Sequence, residues 1–307
     1  MKKILITAAS GQTGTRLIKQ LVSKGHMVRA MVTRPTSADV VAALGAEPTI
    51  GNAWNPQDLL RAMDGMDSVY HIAPTFTYDE PALGKLLIDA ALKSKLQHFV
   101  LHGVMAPYLD NINYHWAKML IQRDLYRSGL NYTVLLPTNF MQNVSWTWPL
   151  IAKQNKGPLP YSIDQKLTWV DLEDVVSAAA AVLTEPGHEF GTYELSGKDA
   201  YLSRREITEL MSQALGRKIE AVQETPDDYL KHARTQPFFE RFSDKEVNQI
   251  LAMFDDYDRY GMPAGNPKVL EMLLGRPAAS YKDFVARLVS ASGVQGQANI
   301  NSYGLPI

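Results

Sequence analysis

One tyrosine and one lysine, Tyr114 and Lys118, stand four residues apart in a stretch with helical character. Side chains at positions i and i+4 share one face of a helix, so the phenol and the ammonium are expected side by side. An ammonium beside a phenol favours its ionised form and helps it pass a proton to a developing alkoxide. The pair therefore predicts acid–base chemistry, with Tyr114 as proton donor. The alternative is an amphipathic helix on which the two residues coincide by chance.

A second segment that could do chemistry is the turn after the first apolar run, Ile4 to Ile6. The turn is built of small residues and leads into a helix with Leu17 and Leu21 on one face. Strand, tight turn and helix open a dinucleotide-binding fold, in which a pyrophosphate lies against the N–H groups of the helix N-terminus. An ordinary turn that binds nothing is the alternative. The turn residues predicted to contact the cofactor are Ala8, Ser10, Gly11, Gln12, Thr13 and Gly14.

The residues that follow the second predicted strand, over 27–32, indicate which nucleotide binds. Thr33 and Arg34 stand there, where an NAD-selective site carries an acidic residue that accepts from the ribose hydroxyls. A guanidinium can instead pair bidentately with a 2′-phosphate and stack on the adenine. The sequence therefore predicts NADP(H), although a solvated arginine before Pro35 would give the same pattern.

The elements that must position these residues alternate regularly. Further strands are predicted over 48–50, 68–72, 98–101 and 132–136, with helices over 37–44, 56–63, 83–92 and 114–127, and residues 167–170 are predicted to return to the sheet as the seventh strand. This alternation predicts an α/β fold, a doubly wound, Rossmann-type parallel sheet whose ligand crevice lies at the carboxyl ends of the strands. At those ends we expect cofactor contacts from Ala73, Pro74, Thr75, His102 and Gly103.

The alternation loosens after residue 138. We expect an NADP-binding domain over 1–138, to which 165–196 return, and a smaller, mainly helical C-terminal lobe for substrate or partner over 139–164 and 197–307. A capping box, Ser243 to Glu246, predicts a helix start in this lobe. The closing polar, glycine-rich segment is either mobile or a lid over the pocket.

A group of large side chains predicts where a substrate binds. Aromatic residues cluster after Pro137 and could line a pocket that favours a planar, apolar compound over a sugar. Helix-packing core is the alternative for each of them. The predicted pocket residues are Phe76, Tyr114, Trp116, Asn143, Trp146 and Trp148.

Composition excludes several other classes. The 31 basic and 32 acidic residues give a net charge of −1, which argues against a nucleic-acid or anionic-membrane footprint. Cysteine is absent, which excludes disulfides and thiol catalysis and suits the cytoplasm. The seven histidines are dispersed, so no metal site is expected. No apolar run approaches the length of a membrane span, and no apolar stripe argues for a homodimer, which stays open.

Taken together, these motifs resemble the NmrA-like family of atypical short-chain dehydrogenase/reductases. The resemblance extends over nearly the whole chain and implies an NADP(H) cofactor, with Lys118 at the nicotinamide ribose and Asn52 on the adenine side. It also implies that Pro137, Thr138, Asn139 and Phe140 border the nicotinamide. The segments that carry it are 7–14, 32–35, 70–74, 87–91, 128–137, 139–143, 170–175 and 275–277. The sequence departs from the family at Ala8, which replaces a glycine, and at Asn52, where an aspartate is frequent.

The family resemblance leaves more than one function open. Some members are similar to reductases of quinones, dyes, imines or conjugated double bonds, whereas others resemble redox sensors that bind NADP(H) and regulate a protein partner without turnover. Tyr114 and Lys118 keep the Tyr-x-x-x-Lys spacing of catalytic short-chain dehydrogenases, but His102 stands where their serine is expected and either donates in its place or is a core histidine. We expect an NADPH-dependent reductase of a small aromatic or conjugated compound. A non-catalytic sensor is the alternative, and a non-redox isomerase or dehydratase is a third hypothesis.

Overall fold

The computed structural model of the 307-residue chain describes residues 1–74, 77, 79–234 and 243–291. Its strands are β1 (Lys3–Ile6), β2 (Met27–Val32), β3 (Glu47–Ile50), β4 (Ser68–His71), β5 (His98–His102), β6 (Tyr132–Pro137), β7 (Asn139–Phe140), β8 (Lys156–Leu159), β9 (Leu167–Val170), β10 (Gly191–Leu195), β11 (Tyr201–Leu202) and β12 (Glu220–Gln223). Its α-helices are α1 (Gln12–Ser23), α2 (Pro35–Ala43), α3 (Pro56–Met63), α4 (Glu80–Lys93), α5 (Asn113–Ser128), α6 (Trp148–Gln154), α7 (Leu172–Thr184), α8 (Arg204–Leu215), α9 (Pro226–Arg234), α10 (Asp244–Tyr260), α11 (Lys268–Leu274) and α12 (Tyr281–Ala291). A 3-10 helix covers Met141–Trp146.

The first of two units comprises Met1–Pro137, Glu173–Leu195 and Val269–Arg276. Within the described residues, its sheet has seven parallel strands in the order β10-β6-β5-β4-β1-β2-β3. Strand β1 pairs with β2 on one side and with β4 on the other, so the strand order reverses there. Ligands of open α/β sheets bind outside the carboxyl ends of the strands at such a switch point. The predicted doubly wound α/β fold is confirmed.

The prediction that residues 167–170 return to this sheet is wrong. They form β9, which pairs with β7 and β11 in a separate three-stranded sheet. Strand β10 joins the large sheet instead, in parallel with β6. Strand β9 is wholly buried, whereas β10 is partly exposed along its length. The sequence of β9 is the more apolar of the two and therefore favours a central strand more strongly. Apolar character predicts burial and does not identify the partner strand.

Helix α4 begins at Glu80, three residues before the predicted start. The Asp79 side chain accepts from the Ala82 N–H at 3.3 Å, and Pro81 lies in the first turn, where a missing N–H costs nothing. The helix therefore includes Glu80, which lies outside the predicted range of 83–92.

Helices α4 and α5 pack closely at a glycine. A Cβ on Gly84 would lie 2.6 Å from Cγ1 of Ile121 on α5, so any larger residue would push the two helices apart. Ile121 belongs to a buried cluster that also contains Leu87, Phe99 and Val134. This core fixes α5 against α4 and against the strands beneath them.

The second unit comprises Thr138–Leu172, Ser196–Lys268 and Pro277–Ile307. Strands β8 and β12 form a parallel pair within it. The predicted capping box at the start of α10 is confirmed, because Ser243 and Glu246 each bond the backbone N–H of the other. The buried Asp171 carboxylate accepts from Gln142 Nε2 at 2.7 Å and pairs with Arg287 on α12.

None of the helices in the described ranges combines the length and the apolar character that crossing a bilayer requires.

Candidate nucleotide-binding and catalytic site

The turn between β1 and α1 is tight and depends on two small residues. Ala8 adopts a left-handed conformation with φ +46°, and its carbonyl accepts from the Gly11 N–H at 3.1 Å. A Cβ on Gly14 would lie 2.4 Å from the carbonyl oxygen of Ala9. Glycine at position 14 therefore allows α1 to start directly against the turn.

The N-terminus of α1 keeps its first N–H groups available for a ligand. Its N-cap residue, Gly11, forms no side-chain cap, and the first turn holds no acidic residue. The first N–H groups of a helix lack partners within it, and the helix dipole makes this end favourable for an anion. The N–H groups of this first turn, which holds no acidic side chain, therefore fit a pyrophosphate.

Arg34 lies where the sequence predicted it, directly after β2. It is the N-cap residue of α2, and its exposed side chain forms no hydrogen bond or ion pair with the rest of the described chain. Thr33 beside it is also exposed. The guanidinium is therefore available for a phosphate.

Asn52 forms hydrogen bonds that stabilise the loop after β3. Its side-chain oxygen accepts from the Trp54 N–H at 3.0 Å, and its own N–H donates to Asp58 Oδ2 at 2.8 Å. That backbone hydrogen bond is the main cause of the lowered pKa of the Asp58 carboxyl. The amide oxygen is thus engaged within the loop, and the adenine-side contact stays a prediction.

Buried polar side chains join the carboxyl ends of β1 and β4. The Thr7 hydroxyl lies 3.1 Å from the Ile72 carbonyl, accepts from the Ile72 N–H at 3.0 Å and lies 3.0 Å from His71 Nδ1. Because the Thr7 hydroxyl donates its only hydrogen to the Ile72 carbonyl, it accepts a hydrogen bond from Nδ1–H of His71. Nε2 of His71 then carries a lone pair and no hydrogen. That Nε2 atom is buried and has no hydrogen-bond partner in the structure as described.

A second buried pair joins β4 and β5. The Tyr70 hydroxyl lies 2.7 Å from His102 Nδ1. Burial, and then the nearby Lys118 ammonium, lower the pKa of His102 and of His71 to about 3. Both rings are neutral at physiological pH, so His102 has no acidic proton to give as an imidazolium. Its contact with a cofactor stays a prediction.

Lys118 points to a partner that the sequence reading missed. Its Nζ lies 2.5 Å from Oε1 of Glu80, and the two side chains are 13% and 2% exposed. Two sequence signals could have placed Glu80 in the first turn of α4: it follows the N-cap residue Asp79 and precedes Pro81. Tyr114 lies half-buried one turn earlier on α5, so the predicted helical placement of the Tyr–Lys pair is observed, whereas its catalytic role stays a prediction.

Other predicted residues of the first unit lie at strand ends or on the surface. Ala73 is half-buried and Pro74 exposed after β4, and a Cβ on Gly103 after β5 would lie 2.8 Å from a methyl group of Leu136. Trp116 on α5 is 39% exposed. Thr75 and Phe76 lie outside the described residues.

The predicted residues of the second unit are mostly buried there. The Thr138 hydroxyl is buried with no partner in the described ranges, and the Asn139 amide contacts Met262 and Tyr257. Phe140 and Asn143 are half-buried. Trp148 is 1% exposed, so its contact with a substrate stays a prediction. The side chain of Trp146 and the tail over 292–307 lie outside the described residues.

The second unit also contains a cavity of about 430 Å³. The residues that line it include the aromatic Tyr161 and Phe254 and the acidic Asp255 and Asp258. Of the aromatic residues that follow Pro137 in the sequence, Tyr161 lines this cavity and Trp148 does not.

The chain resembles known proteins over most of its length. The sequence model of the NmrA-like family matches residues 1–281. The NAD(P)H azoreductase of Xenophilus azovorans is 27% identical over 291 residues, which cover 94% of this chain and 99% of the relative.

Solved structures show the same fold. The triphenylmethane reductase of Citrobacter sp., complexed with NADP(H), superposes with a TM-score of 0.79 at 20% identity, over 92% of this chain and 99% of that one. NmrA, a negative transcriptional regulator in complex with NADP, superposes with a TM-score of 0.75 at 18% identity, over 94% and 95% of the two chains.

Proposed function

This chain belongs to the NmrA-like family, and from that premise we propose that it is an NADPH-dependent reductase of small aromatic or conjugated compounds. The substrate class comprises quinones, azo compounds, imines and enones. The observation that carries the proposal is the β1–α1 turn with its uncapped helix N-terminus, together with the exposed guanidinium of Arg34 after the neighbouring strand, which has no partner among the described residues. Similar proteins named as an NAD(P)H azoreductase and a triphenylmethane reductase support the aromatic substrate class.

The residues of the first unit have distinct roles toward NADPH. The N–H groups of Gln12, Thr13 and Gly14 bind the pyrophosphate, since they form the first turn of α1. Arg34 binds the 2′-phosphate bidentately and thereby distinguishes NADPH from NADH. When bound, the cofactor supplies the hydride.

Two side chains of α5 complete the site in this proposal. Lys118 holds its ammonium at the nicotinamide ribose, and Tyr114 donates the proton that neutralises the reduced product. Both residues lie on the same helix face, one turn apart. Neutral His71 and His102 are poor proton donors at pH 7, which leaves this task to Tyr114.

A panel assay tests the proposal directly. NADPH oxidation is followed at its near-ultraviolet absorbance with quinones, azo dyes, imines and enones as acceptors. We expect turnover with at least one class, and a loss of about 100-fold or more in Tyr114→Phe without loss of NADPH binding. Tyr126→Phe, which alters an exposed tyrosine of the same helix, is the matched control. Equal rates in Tyr114→Phe and wild type would remove Tyr114 from the mechanism.

A non-catalytic NADP(H) sensor that acts on a protein partner is the second candidate. Two observations favour it: a histidine bonded to Tyr70 stands where catalytic relatives are expected to carry serine, and the regulator NmrA has the same fold. Tight NADPH binding without oxidation across the whole panel would favour the sensor over the reductase.

A further inference from the structure

We propose that Glu80 is a positioning residue, which holds the ammonium of Lys118 in one place at the carboxyl ends of β4 and β5. The inference rests on the proposed function, in which Lys118 binds the nucleotide ribose beside Tyr114. It adds a residue from α4 to a site otherwise built from strand ends and α5.

The first support is the geometry of the ion pair. Nζ of Lys118 and Oε1 of Glu80 are 2.5 Å apart, and Glu80 is almost completely buried. No other carboxylate in the described ranges pairs with Lys118. Ions buried in this way lose hydration, and a hydrophobic pair of similar volume is frequently as stable, so stability alone is a weak reason for such a pair. Fixing the position of a charged group is a role that a hydrophobic pair could not fulfil.

The second support is the rigidity of both partners. Glu80 occupies the first turn of α4, where the helix dipole favours a carboxylate and Asp79 caps the helix. One turn further along, Gly84 lets Ile121 of α5 approach to a distance that no larger residue would permit. Because Ile121 follows Lys118 by three residues, the same close packing that holds the helices together also fixes the root of the lysine side chain.

The third support is that no other carboxylate in the part of the chain that the structure describes could replace Glu80 at Lys118. The ionisable groups near the Lys118 ammonium are His71 on β4 and His102 on β5, and burial keeps both neutral with pKa values of about 3. Tyr114 is the ionisable group one turn earlier on α5 itself, and β6 contributes the apolar Val134 and Leu136 to the core below the helix. Without Glu80 the ammonium would have no carboxylate partner in the described part of the chain.

A double-mutant cycle tests whether Glu80 acts through Lys118. Glu80→Gln, Lys118→Gln and the double variant are compared by NADPH dissociation constant, from the fluorescence of the reduced nucleotide, and by kcat and KM with the best acceptor of the panel. Glu80→Asp tests rescue by a shorter carboxylate. The control is Asp164→Asn, which breaks an exposed ion pair with Arg205, at 2.7 Å, in the second unit.

We expect Glu80→Gln to weaken NADPH binding by about 10-fold and kcat/KM by about 100-fold, the loss typical of a misplaced group. Glu80→Asp should recover part of both losses, and Asp164→Asn should change neither quantity. In the Lys118→Gln background, Glu80→Gln should add less than about 2-fold, because its effect passes through the lysine.

Additive losses in the cycle, or a Glu80→Asp variant that recovers neither loss, would overturn the inference. Tighter NADPH binding in Glu80→Gln would also overturn it, since the carboxylate would then be withholding Lys118 from the nucleotide. If Glu80→Gln alone fails to fold, the double variant, which buries no unpaired charge, is compared with Lys118→Gln: further loss of NADPH affinity contradicts the proposal. A wild type that binds NADPH but reduces no acceptor refutes the proposed function, while the nucleotide-binding cycle still decides the role of Glu80.

Discussion

Gly14→Ala is the substitution for which the structure gives the sharpest expectation. The added Cβ would lie 2.4 Å from the carbonyl oxygen of Ala9 and 2.7 Å from its carbonyl carbon and Cα. Carbon atoms in ordinary contact lie about 3.5–4.0 Å apart. All three obstructing atoms belong to the backbone, so no side chain can rotate out of the way. Helix α1 must move by about 1 Å from the turn to relieve the contact, given that ordinary distance.

The magnitude follows from two opposing effects. Overpacking a close contact costs about 1–3 kcal/mol, whereas replacing a helical glycine by alanine gains up to about 1 kcal/mol. The net loss is about 1–2 kcal/mol, which lowers Tm by about 2–8 °C at 2–4 °C per kcal/mol. Hydrogen bonds to a charged group are worth about 1.5–3 kcal/mol each. Displacing one N–H from the pyrophosphate therefore raises the Kd for NADPH by about 10- to 100-fold.

Thermal unfolding and calorimetric titration with NADPH measure the two effects separately. Gly157→Ala is the matched control: its Cβ would lie 2.8 Å from Cγ2 of Thr208 in the second unit, so it should cost stability and leave NADPH affinity unchanged. Gly14→Ala with unchanged Tm and unchanged Kd would refute the view that this glycine sets the distance between turn and helix. A lower Tm with unchanged affinity would show that the N–H groups of α1 do not bind the nucleotide.

Three further expectations concern neighbouring residues. Arg34→Ala should raise the Kd for NADPH by about 10- to 100-fold and leave NADH binding and Tm unchanged, because the exposed side chain has no partner in the described chain. Equal losses of affinity for NADPH and NADH in calorimetry would contradict a 2′-phosphate contact. Ala8→Gly should stabilise the protein by up to about 1 kcal/mol, since the strain of the left-handed conformation at φ +46° is relieved and this gain exceeds the cost of a more flexible unfolded chain. A lower Tm in the variant would mean that Ala8 is unstrained. The pKa of His102 is lowered to about 3, so between about pH 6.5 and pH 3 the unfolded state binds a proton that the native state does not, and the free energy of unfolding must fall with pH by up to about 1.4 kcal/mol per unit. His102→Gln should remove this contribution to the pH dependence of the free energy of unfolding, measured by urea titrations at pH 6 and pH 5. An unchanged pH dependence would indicate that the native ring titrates normally.

The sequence by itself determined most of the alternating strands and helices of the first unit and several local motifs at their ends. The small residues from Ala8 to Gly14 identified the β1–α1 turn, because a tight strand-to-helix connection tolerates few side chains. Helical spacing placed Tyr114 and Lys118 on one face of α5, and the Ser243–Glu246 capping box located the start of α10. Each of these inferences depends on residues within one or two turns of one another, where backbone geometry alone decides which side chains meet.

Only the tertiary structure decided which distant residues meet. The apolar run of β9 was expected in the large sheet, yet it pairs with β7 and β11, because apolar character predicts burial but not the partner strand. Glu80 and Lys118 lie 38 residues apart, and the sequence reading missed their ion pair. Their meeting depends on how closely α4 approaches α5, which Gly84 permits and the buried core enforces. Burial and pairing of this kind arise from packing between elements, so they become visible once the chain has folded.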